Sequence, residues 1–275
     1  MPNPFPNTHK FVCKAMTTRF RVYIADEELR YARQGADATF EELARLESLL
    51  SRFREGSDVR RLSSLARGEA ARVSTETLEC LRTAEMVREW TSGAFDVAYA
   101  SKGRRGGIAF TTESSTNTVR STCDNLRIDL GGIGKGFALD RMAALLQEWD
   151  IAHAFLSAGT STHLALDPPK GEAGWPTEFG PDDVPQTHVL VRSAFSASGT
   201  ARRGRHVIDP GTGTAAQTRI RAWAWAETGA LADALSTAFL LLPEAQIGMI
   251  CRTRASVGAY LENAGGVFAP EDHSS

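Results

Sequence analysis

The sequence lacks the features that mark several large classes of protein. No stretch approaches the roughly 18 consecutive apolar residues of a transmembrane helix. Residues 1–18 contain no apolar run long enough for a signal peptide or a lipoprotein leader. Lys and Arg number 31 against 33 Asp and Glu, so the basic excess of a general nucleic-acid binder is missing. We therefore expect a cytoplasmic protein with no membrane anchor and no nucleic-acid partner.

Cysteine is scarce as well. The chain has only Cys13, Cys80, Cys123 and Cys251, which lie far apart and form no C-x-x-C pair. This spacing indicates neither a zinc site nor a disulfide framework, so we expect reduced structural thiols. What is present is a globular composition, with 42% hydrophobic and 23% charged residues over 275 residues. A hydrophobic core of this size can stabilise the fold without disulfide bonds.

The hydrophobic pattern predicts separate strands and helices within a single domain over residues 1–275. Thr39 followed by Glu42 matches a capping box and predicts the start of a helix whose apolar face includes Leu43 and Leu46. Further helices are expected over 75–90, 135–149 and 231–242. Strands are expected over 19–24, 126–130, 154–158, 189–194, 206–209 and 220–226. Residues 101–125 should form a loop or hairpin, 167–185 a loop, and Gly265-Gly266 a hairpin turn. Adjacent strands with separated helices indicate the α+β class.

The segment from Asp129 to Gly136 is the first candidate site. A predicted strand runs into glycines and then into a helix N-terminus, where free N–H groups favour phosphate and Lys135 adds positive charge. Gly136 stands where a P-loop has Ser or Thr, and the glycine spacing differs from the Rossmann fingerprint. A glycine-rich turn used only for tight strand–helix packing explains the same residues.

Asp233 and Thr237 form the second candidate site. Positions four apart share one helix face, so a carboxylate and a hydroxyl can point to one place. Hard oxygen donors of this kind suit Mg²⁺. The alternative is an ordinary helix start, with Thr228 as the cap and Asp233 in the positive first turns.

Two further segments carry weaker signals. His206 and Asp209 bracket two apolar residues, and His206 could act as a general base near neutral pH. A lone histidine is also a common hydrogen-bonded strand residue. Asp96 follows Phe95 in the Gly93-Ala94-Phe95-Asp96 turn, where an acid is a common cap.

Taken together and in order, these segments resemble the ApbE family of FAD:protein FMN transferases. The resemblance covers roughly residues 12–266, and its most specific run is Asp129 to Asp140, similar to D-L-G-G-I-A-K-G-Y-A-x-D. The other similar segments are Lys14 to Thr18, Leu50 to Phe53, Ser57 to Leu62, Ser92 to Asp96, His206 to Gly213 and Ala232 to Ala238.

The resemblance implies a T-fold-like α+β domain of mixed sheets with packed helices. It implies Mg²⁺-dependent transfer of FMN from FAD to a Ser or Thr hydroxyl of an acceptor protein, through a phosphoester bond, with release of AMP. His206 and Lys135 would be the catalytic residues. The metal would be held by Gly132, Asp233 and Thr237. The residues implied to line FAD are Met16, Phe53, Ala94, Phe95, Asp96, Asp129, Lys135 and Val207.

Several positions depart from the family pattern. Thr17 replaces a glycine, Phe53 a stacking tyrosine and Ser63 an asparagine. The segment from Ala158 to Ser161 lacks the paired glycine and acid, and residues 97–128 form a short segment. These changes affect flavin and acceptor surfaces, so we expect metal and nucleotide binding to persist better than standard acceptor recognition. Hydrolysis of FAD to FMN and AMP, or FAD binding without catalysis, are the alternatives.

Overall fold

The computed structural model describes residues 5–104, 107–181, 183–199, 219–263 and 265–270. Its helices are α1 (Leu29–Leu50), α2 (Asp58–Leu62), α3 (Thr75–Trp90), α4 (Gly134–Glu148), α5 (Gly229–Phe239) and α6 (Glu244–Thr253). Its strands are β1 (Thr8–Ala15), β2 (Thr18–Ala25), β3 (Ala70–Arg72), β4 (Phe110–Glu113), β5 (Thr118–Ser121), β6 (Ala154–Ala158), β7 (Thr162–Ala165), β8 (Trp175–Phe179), β9 (Gln186–Leu190), β10 (Ser193–Gly199), β11 (Arg221–Ala226), β12 (Gly258–Asn263) and β13 (Gly266–Phe268).

One eight-stranded sheet organises the chain, in the order β1-β2-β6-β7-β10-β11-β12-β13. Its neighbouring strands all pair antiparallel. The remaining strands form a small sheet, in the order β3-β5-β4, and a separate β8–β9 hairpin. This arrangement of strands and separated helices confirms the predicted α+β class. Among the described residues, no helix is both long and apolar enough to cross a membrane.

The two faces of the sheet bury different residues, because successive side chains of a strand point to opposite sides. On β2, Val22 belongs to the larger core, which also contains Leu43 of α1, Leu139 of α4 and Leu235 of α5. Its neighbour Tyr23 belongs to a smaller aromatic core with Phe155, Trp175, Phe195 and Trp223. The helices therefore cover one face, and the β8–β9 hairpin covers the other.

The predicted start of the first helix at Thr39 is wrong. Helix α1 begins at Leu29, and Thr39 lies inside it, fully buried, with its hydroxyl donating to the Ala36 carbonyl at 2.7 Å. The inward residues of the first half are small, and a Cβ added to Gly35 would lie 2.4 Å from Ile151 Cδ1. Close packing there requires glycine and alanine. The buried face of this half of α1 therefore has no large apolar residues from which the helix could be predicted.

Residues 126–130 are not a strand, contrary to prediction. Leu126, Ile128 and Leu130 are buried in alternation, as in a strand. Their segment, however, pairs with loops: the Ile128 N–H donates to Ser63 Oγ at 3.2 Å, and the Asp129 N–H donates to the Val97 carbonyl at 2.7 Å. The alternation of apolar residues thus correctly predicted an extended segment, but it did not predict which groups that segment hydrogen-bonds.

The other boundaries agree more closely. The helix predicted over 75–90 is α3, with the same boundaries. The helices predicted over 135–149 and 231–242 are α4 and α5, which begin within two residues of the predicted positions. The segment 167–185 contains β8 as well as loop, and the strand predicted over 189–194 is divided between β9 and β10. The strand predicted over 206–209 lies outside the described residues.

His163 on β7 should make the stability of the fold depend on pH. Its ring is buried and stacks on Phe155 with centroids 5.6 Å apart, and burial lowers the pKa of His163 to about 4. At this site the unfolded chain binds more protons between pH ~6.5 and ~4, so the contribution of His163 to the free energy of unfolding falls as the pH falls through that window. The loss should reach about 3 kcal/mol, at roughly 1.4 kcal/mol per unit of pKa.

Urea unfolding of the His163→Gln protein across this pH range checks the prediction. The free energy of unfolding of the wild type minus that of the variant should fall by this amount across the window, whereas the same difference for the half-buried control His9→Gln should stay constant. Equal pH profiles for wild type and His163→Gln would show that His163 makes no contribution.

Candidate functional site

The candidate site lies where α4 and α5 begin, at one end of the large sheet. Gly136 and Gly229 bring the two helices into backbone contact, since a Cβ added to Gly136 would lie 1.9 Å from the Gly229 carbonyl oxygen. Asp140, one turn further along α4, accepts hydrogen bonds from the N–H groups of Gly229 (2.5 Å) and Ala230 (2.8 Å). Its carboxylate therefore caps α5. Burial raises the pKa of Asp140 to about 7, against the opposing effect of the two N–H donors.

This helix contact places Lys135 against Asp233. The Lys135 ammonium lies 3.0 Å from each carboxylate oxygen, and Asp233 is only 2% exposed. The Gly136 N–H donates to Oδ2 at 3.2 Å, while the hydroxyls of Thr162 and Ser196 donate to Oδ1 at 3.2 and 3.1 Å. The carboxylate is thus held by donors from α4, β7 and β10.

The glycine bend before α4 lies against Thr237, one turn after Asp233 on α5. A Cβ added to Gly132 would be 3.1 Å from Thr237 Oγ1 and 3.1 Å from a ring carbon of Phe95. The Thr237 hydroxyl also contacts Ser198 Oγ at 3.2 Å and the Asp233 main-chain carbonyl at 3.2 Å. The three predicted metal ligands therefore belong to one cluster, and Phe95 lies beside it.

Asp129 connects this cluster to an exposed aromatic ring. Its carboxylate accepts hydrogen bonds from Arg52 Nη1 at 2.6 Å and from the Gly131 N–H at 2.9 Å. The Arg52 guanidinium lies 4.6 Å from the centroid of the Phe53 ring, and Phe53 is 75% exposed. A single exposed ring is ordinary on a protein surface, so the role of Phe53 in flavin binding remains a prediction.

Met16 lies in the tight turn between β1 and β2. Met16 and Thr17 both have positive φ, at 47° and 62°, although neither is glycine. Such angles at both central positions define the type I′ hairpin turn, which normally selects glycine or asparagine. The Met16 N–H donates to Glu47 Oε1 at 2.7 Å, which ties the turn to α1.

Ala94 and Asp96 follow α3. Ala94 is half-buried against the larger core, and its N–H donates to the Thr91 carbonyl at 3.0 Å. Asp96 is 8% exposed, with its carboxylate hydrogen-bonded to Arg104 and to the Ala98 N–H at 2.7 Å. These contacts fix the turn, and roles for both residues in FAD binding remain predictions.

Two predicted site residues, His206 and Val207, lie outside the described residues. Conversely, sequence reasoning missed four residues around the cluster: Arg52, Asp140, Thr162 and Ser196. Asp140 lies within the glycine-rich run, so its place in the pattern was the available signal. The hydroxyls of Thr162 and Ser196 carry no local signal, since only the sheet brings them to Asp233.

The donor set at the cluster fits a magnesium ion. A carboxylate, a hydroxyl and a glycine carbonyl are hard oxygen donors, and Mg²⁺ commonly keeps waters and substrate phosphates for its other positions. The described residues contain no group of three His, Cys, Asp or Glu that would form a protein-only cage. Asp233 is fully hydrogen-bonded, so a cation must replace one donor. Lys135, on a flexible side chain, is the donor that can turn towards a phosphate.

The fold resembles those of solved flavin transferases. The flavin transferase ApbE from Vibrio cholerae has 18% identity and a TM-score of 0.82, with 96% of this chain and 97% of that chain covered. The apbe protein from Thermotoga maritima has 23% identity and a TM-score of 0.80, with 96% and 97% covered. At these identities the likeness establishes the fold.

A sequence relative supplies a second comparison. An FAD:protein FMN transferase from Rhodobacter capsulatus is 30% identical over 141 residues, which are 46% of this chain and 26% of that protein. The chain thus matches about a quarter of the length of that relative. The model of the ApbE family, in contrast, matches residues 16–261, nearly the whole chain. On this match, and with the fold in agreement, the chain belongs to the ApbE family.

Proposed function

We propose that this chain is a Mg²⁺-dependent FAD:protein FMN transferase. It would take FAD and an acceptor protein as substrates, join FMN to a Ser or Thr of the acceptor through a phosphoester bond, and release AMP. The observation that carries the proposal is the cluster of Lys135, Asp233, Thr237 and Gly132 at the start of α4. A cytoplasmic location stays a prediction from the sequence.

The chemistry is transfer of a phosphoryl-linked group between two oxygens. The acceptor hydroxyl oxygen forms a bond to the flavin-side phosphorus, the bond from that phosphorus to the bridging oxygen breaks, and AMP leaves. Such reactions depend mainly on positioning and charge neutralisation. A bound Mg²⁺ would supply part of that neutralisation at the pyrophosphate.

Different residues of the chain would bind the phosphate, hold the metal and accept the proton. The Lys135 ammonium would bind a phosphate at the start of α4, where the helix dipole adds positive potential. Asp233, Thr237 and the Gly132 carbonyl would hold the metal. His206 is the candidate acceptor of the hydroxyl proton, because its unperturbed pKa lies near neutrality.

Incubation with FAD, Mg²⁺ and candidate acceptor proteins tests the proposal directly. Covalently bound flavin, seen as in-gel fluorescence on the acceptor, is the expected result, and chelation of the metal should remove it. Chromatography of the same mixture separates the alternatives: free FMN and AMP without label would indicate a hydrolase. Intact FAD bound without any product would indicate a non-catalytic binder.

Phe53→Ala should weaken FAD binding without destabilising the protein. The ring is 75% exposed, so its loss should change the free energy of unfolding by less than about 0.5 kcal/mol. Stacking of a flavin on the ring should contribute about 1–2 kcal/mol, so the dissociation constant of FAD should rise roughly tenfold. Quenching of FAD fluorescence on titration measures it.

Met249→Ala is the matched control, because Met249 is 53% exposed on α6. This variant should bind FAD like the wild type. An unchanged FAD affinity in Phe53→Ala would remove Phe53 from the flavin site.

A further inference from the structure

A cavity of about 630 Å³ opens at the same end of the sheet as the candidate site, between the β1–β2 and β6–β7 turns. The residues around it include Lys14, Thr17, Arg19, Arg21, Glu47 and Thr160. Thr162, two residues after Thr160, donates its hydroxyl to Asp233 at 3.2 Å. The cavity and the candidate site therefore share the β6–β7 segment.

The cavity is positively charged in a chain whose net charge is −2. Three cations line it against one carboxylate, Glu47, which already accepts the Met16 N–H at 2.7 Å and lies 3.5 Å from Arg54. Lys14 and Arg19 are exposed, and within the described part of the chain neither takes part in an ion pair. The β6–β7 turn, Gly159 to Ser161, adds no acid.

The fold does not explain the placement of all three cations. Lys14 and Arg19 are direct cross-strand partners, and like charges in that position destabilise a hairpin. Lysine on an edge strand commonly prevents edge-to-edge pairing, which would account for Lys14 on β1. It does not account for Arg19 and Arg21, because β2 is an inner strand of the sheet. Arg21 also donates to the Gly159 carbonyl at 2.9 Å, which fixes its guanidinium at the cavity wall.

We propose that this basic cavity binds an acidic segment of the acceptor protein, next to the hydroxyl that receives the flavin. The proposal rests on the proposed function and names the chemistry of its second substrate. Charge complementarity at such a surface mainly sets specificity and the rate of encounter. The phosphates of FAD have their own cation, Lys135, at the start of α4.

Two short fluorescein-labelled peptides probe the cavity, one with glutamates flanking a serine and one with glutamines in their place. Fluorescence anisotropy at physiological salt should detect binding of the glutamate peptide only. Lys14→Glu and Arg19→Glu should each weaken that binding about five- to tenfold. Each reversal also creates an opposite-charge cross-strand pair, so the melting temperature should not fall. A loss of affinity therefore cannot be attributed to unfolding.

Arg30→Glu is the matched control, because Arg30 is exposed in the first turn of α1, at the opposite end of that helix from the cavity residue Glu47. It should bind the glutamate peptide like the wild type, and the affinity for FAD should be unchanged in all three variants. Equal binding of both peptides, or unchanged binding in both cavity variants, would overturn the proposal. So would weaker FAD binding in the cavity variants, since the cavity would then belong to the nucleotide. Charge-dependent peptide binding by a protein that transfers no flavin would support the surface and contradict the proposed function.

Discussion

Asp233→Ala is expected to reduce flavin transfer roughly a thousandfold and to abolish the Mg²⁺ dependence of FAD binding. The carboxylate is the one anionic group in the proposed metal set, and its donors from α4, β7 and β10 hold it beside Lys135. Its removal leaves the Lys135 ammonium without a counter-charge, so that side chain should compete for the phosphates without holding a metal. Rates of acceptor labelling and FAD titrations with and without Mg²⁺ measure both effects.

Asp233→Asn removes the negative charge of the side chain but keeps its size and shape. Asparagine keeps an oxygen that can accept from Thr162 and Ser196, but its NH2 group replaces the oxygen that accepts from the Gly136 N–H. The protein should still fold, with a melting temperature several degrees below wild type. The activity should nevertheless fall almost as far as in Asp233→Ala, because a neutral amide binds Mg²⁺ weakly. Turnover close to wild type in either variant would refute the metal assignment.

Gly136→Ala is expected to disrupt the contact between α4 and α5. The added methyl would lie 1.9 Å from the Gly229 carbonyl oxygen and 2.8 Å from the Ala230 nitrogen, which are backbone atoms that cannot rotate away. Alanine gains about 1 kcal/mol over glycine in helix propensity, but overpacking of this kind costs about 3 kcal/mol or more. The clash should prevail, lowering the free energy of unfolding and displacing Lys135 from Asp233. Urea unfolding and acceptor labelling report the two consequences.

Gly134→Ala, two residues earlier on the same helix, is the matched control. A methyl there would meet only Leu130 Cβ at 3.7 Å, an ordinary contact. This variant should therefore be as stable as wild type or more stable by up to about 1 kcal/mol. Equal stabilities for Gly136→Ala and Gly134→Ala would show that the two helices are not held by the glycine contact.

The sequence was informative where the physical signal is local. A helix is evident from 3.6-residue periodicity when its inward residues are large, as in α3, whose boundaries agree with prediction. The signal fails where packing demands small residues. The first half of α1 buries Ala32, Gly35 and Ala36, and without large apolar residues its start was misplaced by ten residues, from Leu29 to Thr39.

The same distinction between local patterns and tertiary contacts applies to the candidate site. Lys135 and Asp233 were each found from a local pattern, a glycine-rich helix start and an i, i+4 pair, while nothing in either pattern says that the two side chains meet. Their contact follows from the approach of Gly136 to Gly229, which requires the tertiary fold. Thr162 and Ser196, hydroxyls on two neighbouring strands, could not be assigned to Asp233 before the sheet order was known.

The central claim is that one cation is held between the Asp233 carboxylate, the Thr237 hydroxyl and the Gly132 carbonyl, in contact with the pyrophosphate of FAD. A crystal structure with FAD and Mn²⁺, read by the anomalous signal of the manganese, tests it most directly. We predict a single strong peak bonded to those three residues and to phosphate oxygens, with Lys135 turned from Asp233 to a phosphate. Bound FAD with the manganese elsewhere, or with Lys135 still paired to Asp233 and no peak beside it, would contradict the account.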